Sequence, residues 1–335
     1  MLTAYIIHGF IYGLDTININ PTDLDILETK YRSILRSMQS LPPSTPTPAI
    51  YLMMGVLPCV AERDIEILRL AGQLAICDRE FQSVSEIVES NLSEEDIGFP
   101  GWSGLARRTA AIYGLIDPLE LFQNPWPSHR WSQHAKREVT KYWTQLLRDN
   151  AASRPSLDML DTSRLNLVDP HPIWTAAGSN PLSIRKATVV TWMLLNVYRT
   201  GERLFQMKKV KSPKCMICEA PVGDQLHFGL QCPELHQIRS QYMVKFTNIC
   251  PTLSKYFSDP KLLLLILLDP YSPLVPSDVR ESWTTTPGDV YKLSRDYFYD
   301  IHKKREKIIE VRKETISDHQ EPEDKMEIII ALYES

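Results

Sequence analysis

Eighteen residues, CMICEAPVGDQLHFGLQC from Cys215 to Cys232, constrain this chain more than any other stretch. They hold Cys215, Cys218, His227 and Cys232 at the spacing Cys-x2-Cys-x8-His-x4-Cys. Two cysteines separated by two residues can turn both thiolates onto one ion, and the returning loop adds an imidazole and a third thiolate. Three sulfurs and one nitrogen suit tetrahedral zinc, with bonds of about 2.3 Å to sulfur and about 2.0 Å to nitrogen. All four positions are filled by protein, so none is left for water and such a site is structural. A loop with so little core of its own would depend on the ion for its fold, by ~10–16 kcal/mol in comparable peptides. The expected cofactor is therefore one structural Zn2+. A lone Cys-x2-Cys would equally suit a redox pair, and only the four-residue set selects a metal. The fourth ligand stays open at this stage. His236 lies four residues after Cys232, beyond a proline suited to a helix start, and it could replace His227.

The other cysteines, Cys59, Cys77 and Cys250, are scattered, which does not fit a secreted disulfide framework in a chain of 335 residues. Cys250 reads as a buried small hydrophobe, and so does Cys59 beside its helix start. The N-terminal MLTAYIIHGFIYGLD is apolar but lacks a basic flank and a cleavage site, so no signal peptide is expected. The most apolar run, LLLLILL at 262–268, is too short to span a bilayer and reads as a buried helix segment. A reducing compartment, nucleus or cytoplasm, and no membrane partner follow as expectations. Apolar content of 43% and charged content of 23% describe a folded chain, long enough for two or more cores.

Helical periodicity dominates the rest. Leu24, Leu27, Tyr31, Ile34, Leu35 and Met38 recur at helical spacing over 22–40, after a candidate capping box at Thr22 and Asp25. LPPSTPTP (41–48) stops that helix. A second helix follows Pro58 with Ile65, Leu68, Ala71 and Leu74 on one face. A third begins near Ser132 with Ala135, Val139, Trp143 and Leu146 on its stripe. Residues 92–104 read as a loop or boundary, and 151–183 as an extended linker with short turns. A helix apolar on most sides is expected over 184–207 and should be buried. More helix follows the cysteine loop, and an acidic tail from Glu314 is expected to fray. The expected fold is mainly α: helical bundle segments with a small inserted zinc-knuckle loop. Four segments are expected: 1–100, 101–183, 184–250 and 251–335.

Net charge is −4, yet from Arg185 to Lys214 eight cations stand against the single acid Glu202. They are Arg185, Lys186, Arg199, Arg203, Lys208, Lys209, Lys211 and Lys214, and the last four lead straight into Cys215. Such a cluster neutralises phosphates without reading sequence. The plain alternative is a solvated helix end that favours the helix dipole. Phe228, beside His227, is the candidate ring for base stacking, while Phe205 and Trp192 read as core. The run HKKREK (302–307) reads as the wet face of an amphipathic helix.

The cysteine–histidine spacing, followed by Pro233, with LHF around the histidine and Arg239 downstream, resembles the zinc knuckle near the C-terminus of non-LTR (LINE-type) retrotransposon reverse transcriptases. HPIW (171–174) and IRKATVVTWMLLNVYRTG (184–201) resemble the segment leading into that knuckle. FIYGLD, YRSILRSMQSLP and AIYLMMGVLP resemble the family's helical thumb and post-polymerase region. The resemblance runs in order over roughly residues 5–245. It favours His227 over His236 as ligand and adds Arg239 to the candidate nucleic-acid contacts. It implies a C-terminal part of such a polyprotein that binds RNA or DNA. The middle loop has eight residues where the retroviral knuckle has four, so the retroviral base pocket is not carried over.

The family's polymerase needs paired carboxylates for two metal ions, and the sequence contains no Asp-Asp pair. It also contains no P-loop, no HExxH and no G-x-G-x-x-G, and Ser103 in GWSG is no nucleophile elbow. The expectation is a non-catalytic protein with no small-molecule substrate. The rival expectation is a helical protein-interaction module, or a degenerate retrotransposon remnant without selected activity.

Overall fold

Proline stands at the first position of helix after helix in this chain, where its missing N–H costs nothing and its fixed φ suits the turn. The computed structural model describes residues 9, 11–17, 19–76, 101–283 and 287–318. Residues 1–8, Cys77, the expected boundary over 92–100 and the acidic tail beyond Asp318 lie outside them. The described residues contain no strand, and the protein is mainly α-helical. Its helices are α1 (Pro21–Met38), α2 (Thr47–Met54), α3 (Cys59–Leu74), α4 (Trp102–Ile112), α5 (Pro118–Gln123), α6 (Ser128–Ala152) and α7 (Pro172–Thr175). There follow α8 (Pro181–Leu194), α9 (Gly201–Gln206), α10 (His236–Ile249), α11 (Pro260–Leu268), α12 (Ser277–Trp283) and α13 (Pro287–Asp318). None is long and apolar enough to cross a membrane.

Polar side chains supply the caps. Asn20 accepts from the backbone N–H groups of Thr22 (2.7 Å) and Asp23 (3.1 Å), so α1 begins one residue before the expected Thr22 capping box. Asp117, Asn180 and Asp259 each cap a helix whose first residue is proline.

The helices group into two compact units. The first takes the described residues of Met1–Ser37, Ile50–Ala151 and Leu165–Pro170. Its α3 packs against α4 and α5. Ile65, Leu68 and Ala71 are buried as the spacing predicts, but so are the ion pair Arg63–Asp64 (2.8 Å) and Cys59. Tyr113 donates to Asp64 (2.6 Å), so that buried carboxylate is partnered on both oxygens. Burial pushes the Cys59 thiol up to about 12, which makes it inert packing. A Cβ on Gly72 would stand 2.1 Å from Cδ1 of the fully buried Trp131, so glycine is what lets the indole pass α3. The stripe on α6 differs from the expected one. Trp131, Ala135 and Val139 are buried, then the face shifts to Thr144, Leu147 and Ala151, leaving Leu146 exposed.

The second unit takes the described residues of Met38–Ala49, Ala152–Arg164 and His171–Ser335. The long α13 packs along α8 and α10. Val189, Val190, Met193 and Leu194 of α8, Leu263–Leu268 of α11, and Tyr297, Phe298 and Ile301 of α13 are all buried. Each fully buried large side chain among them contributes about 1.5–3 kcal/mol. Two expectations fail here. Residues 151–183 have the short turns expected but are not an extended linker, because Leu157, Met159, Leu160 and Ile173 are buried in this unit, and Leu165 and Leu167 are buried in the first. The helix expected over 184–207 breaks after Leu194. Asn196 takes the left-handed region (φ 52°), and Thr200 then caps a new helix by accepting from Arg203 N–H (3.1 Å).

A buried polar knot also lies in this unit. Asp269 accepts from Arg164 and from Tyr291 Oη (3.1 Å), with His171 Nε2 at 3.5 Å. Burial works against the charge, but His171 and Arg164 hold the Asp269 carboxyl down at about 2.

Candidate metal centre

A tight turn starts the site. The backbone N–H of Cys215 donates to Ala220 O (2.9 Å) and that of Glu219 to Cys215 O (3.0 Å), with Glu219 in the left-handed region (φ 61°). This closes Cys215 and Cys218 over one point. The second half of the site is a wide turn at His227–Gln231. Asp224 Oδ1 accepts from His227 N–H (2.6 Å), and Cys232 N–H reaches back to His227 O (2.7 Å). That wide ring brings Cys232 round to the side of the histidine.

The ligand atoms of Cys215, Cys218, His227 and Cys232 all lie within 4.8 Å of one another. Cys218 Sγ is 3.1 Å from His227 Nε2. Donors on a tetrahedron with bonds of about 2.0–2.3 Å are roughly 3.5–3.8 Å apart, so the four fit one ion after only small shifts. Cys215, His227 and Cys232 are buried and Cys218 is half-buried. The cluster can hold a metal ion. A hydrogen bond between the Cys215 and Cys232 thiols lowers the Cys215 thiol and raises that of Cys232. Of the two candidate histidines, His227 stands beside the three cysteines. His236 is exposed and lies 3.3 Å from Ser240 Oγ instead.

Close backbone packing ties this loop to its surroundings. A Cβ on Gly201 would sit 1.9 Å from Lys214 O, and one on Gly223 would sit 2.6 Å from Cys215 Cα. Glu202 N–H donates to Gly223 O (3.1 Å) and Gly223 N–H to Pro213 O (2.7 Å). Met216, inside the Cys-x2-Cys turn, packs on the buried pair Leu204 and Val210. Two arginines of α13 complete the cradle. Arg312 donates to Met216 O (3.0 Å) and Ile217 O (2.7 Å). Arg305 is buried, donates to Arg199 O and Tyr198 Oη, and lies over the rings of Tyr198 and Phe228. The run 302–307 is therefore wet only at Lys303, Lys304 and Lys307.

The candidate nucleic-acid contacts are not all brought together. Lys208, Lys211 and Lys214 are exposed and Lys209 is half-buried, all on the loop between α9 and Cys215. Arg199 and Arg203 are half-buried, and Arg203 reaches Gln206 Oε1 (3.4 Å). Arg185 is exposed and Lys186 pairs with Asp296 (2.7 Å), both in the opening turns of α8, about 14 Å of helix from its end. Arg239 is half-buried and donates to Cys232 O (3.1 Å), so it braces the metal loop. Phe228 is the clear correction. It is buried and stacks on Tyr198 at 4.6 Å between centroids, so neither ring face is open to a base. Phe205, expected in the core, is 45% exposed.

Sequence reasoning missed Arg305 and Arg312. Their only signal is the interval of seven, two helical turns, which places both on one face of α13. No family model matches the chain, and no curated protein or solved structure matches it either.

Proposed function

We propose that this protein binds RNA or DNA without catalysis, through a lysine loop held in place by a structural zinc ion. The observation that carries the reading is the packing of Met216, between two of the cysteines, on Leu204 and Val210, which bracket Lys208 and Lys209. Order in the metal loop is thereby order in the lysine loop. Three thiolates and one imidazole with no open position favour zinc over magnesium, calcium or a redox-active catalytic metal. Zinc would supply a fixed tetrahedral crosslink and no reaction step. The likeness to the C-terminal region of LINE-type reverse transcriptases supports the same reading, in which this segment holds template RNA or target DNA.

The lysines contribute sequence-independent affinity. Neutralising three phosphates gives a slope of about −2 to −3 when log affinity is plotted against log salt. Two measurements test the proposal. Purified protein should carry one zinc per chain, lost in both Cys215→Ser and Cys232→Ser. Binding to a single-stranded oligonucleotide should follow that slope and vanish when Lys208, Lys209, Lys211 and Lys214 are all changed to Glu. A flat salt plot, or a quadruple variant that binds undiminished, would overturn it and leave a helical protein-interaction module as the better reading.

A further inference from the structure

With Phe228 buried, the lysine loop needs another ring if it is to hold bases, and the structure presents one. Phe205 is 45% exposed and Met207 40% exposed, at the C-terminal end of α9. Lys209 N–H donates to Leu204 O (2.9 Å) and Lys208 N–H to Phe205 O (2.9 Å). These two bonds form the paired closure that ordinarily ends a helix at a left-handed glycine. Here the left-handed residue is Lys208, at φ 57°. A side chain at that position is disfavoured against glycine. The lysine is thus held against a local conformational preference, in the same turn as an exposed ring. From Arg199 to Lys214 the only acid among six cations is Glu202. An exposed planar apolar group in so cationic a stretch complements a polyanion that carries exposed flat bases.

We infer that Phe205 and Lys208 together form a one-nucleotide grip for single-stranded nucleic acid, in which the ring stacks on a base and the ammonium pairs with the adjoining phosphate. This rests on the nucleic-acid reading above and sharpens it. In a duplex the base faces are already stacked, so the grip prefers single strands.

The test uses the full zinc-loaded chain with oligothymidylate, and with a duplex of equal length. Phe205→Ala should weaken oligothymidylate binding about 5- to 150-fold, the range of one base–aromatic stack. Its duplex affinity and zinc content should stay unchanged. Phe205→Trp should retain affinity, and its added indole emission should be quenched as thymidylate binds. Lys208→Gly should raise the melting temperature, weaken oligothymidylate binding and reduce the salt slope by about 0.7. If Phe205→Ala binds oligothymidylate as wild type while the quadruple lysine variant does not bind, the grip is wrong and the broader reading stands. If neither variant loses affinity, both fall. Binding of phosphatidylserine vesicles or polyglutamate as tight as that of oligothymidylate would also overturn the grip.

Discussion

Arg312 of α13 donates to the carbonyl oxygen of Ile217, 2.7 Å away, from ninety-five residues down the chain. Its other terminal nitrogen takes Met216 O at 3.0 Å, so one planar guanidinium spans two successive carbonyls inside the Cys-x2-Cys turn. Cys215 O takes its hydrogen bond from Glu219 within the turn, whereas Met216 O and Ile217 O take theirs from outside the metal loop.

Arg312→Ala should therefore loosen the metal without touching a ligand. Groups that orient ligands typically matter 10- to 100-fold in metal affinity, and zinc release to a chelator should accelerate by about that factor. Arg312→Lys should recover only part, since an ammonium cannot span both carbonyls as the fork does. Release at the wild-type rate in Arg312→Ala would show that the contact is incidental.

The joint between α9 and the metal loop gives a stability test. At Gly201 an added Cβ meets the carbonyl oxygen of Lys214 at 1.9 Å, and backbone on both sides leaves no flexible group to yield. Gly201→Ala should cost about 2 kcal/mol or more in denaturant unfolding. Gly288, near the start of α13, has nothing within 4 Å of the same position, so Gly288→Ala should be neutral or mildly stabilising. Equal midpoints for the two variants would refute the close approach.

What the sequence made legible follows from how local each signal is. Helix is written in the spacing of neighbours, so the mainly α class, the Ile65–Leu68–Ala71 face and the burial of Leu263–Leu268 all follow from it. The convergence of Cys215, Cys218, His227 and Cys232 is encoded within eighteen residues. Features decided by distant partners do not show. Phe228 looks available until Tyr198 and Arg305 are seen to occupy its faces. The break after Leu194 depends on Asn196 tolerating a positive φ, which apolar periodicity does not register. Residues 151–183 have a loop-like composition, yet Leu157, Met159, Leu160, Leu165, Leu167 and Ile173 are buried, with only Val168 and Leu182 of their large aliphatic side chains left exposed.

His302 should make the second unit sensitive to acid. Its Nδ1 lies 2.9 Å from Tyr198 Oη and its Nε2 3.2 Å from Glu306 Oε1, beside the Trp192 ring. Burial disfavours the imidazolium, and Arg305 and Lys303 add to this against the attraction of Glu306, leaving the group at about 4. The unfolded chain titrates near ~6.5. Between these values the unfolded state binds a proton that the folded state does not. Stability is therefore full above about 6.5 and falls as pH drops toward 4, by at most about 1.4 kcal/mol per pH unit from this group. His302→Gln should flatten that part of the profile. Any acid-driven loss of metal is common to both proteins and cancels in the comparison. Parallel profiles for the two proteins between pH 7 and 5 would rule the histidine out.

Glu219 offers the converse experiment, a substitution that should improve the metal loop. It sits at φ 61° directly after Cys218, where the turn must reverse so that Cys215 N–H can reach Ala220 O. Glutamate tolerates that region poorly, glycine freely, asparagine better than most, and a β-branched residue worst. Glu219→Gly should raise the melting temperature of the zinc-loaded protein, by a gain of about 0.5–1 kcal/mol net of the extra freedom glycine gives the unfolded chain. Glu219→Asn should fall between glycine and the wild type, and Glu219→Val below it. Both Gly and Val remove the same carboxylate, so a charge effect would move them together, whereas a backbone effect moves them apart. Matching shifts for the two would mean that the turn is not the constraint the geometry makes it.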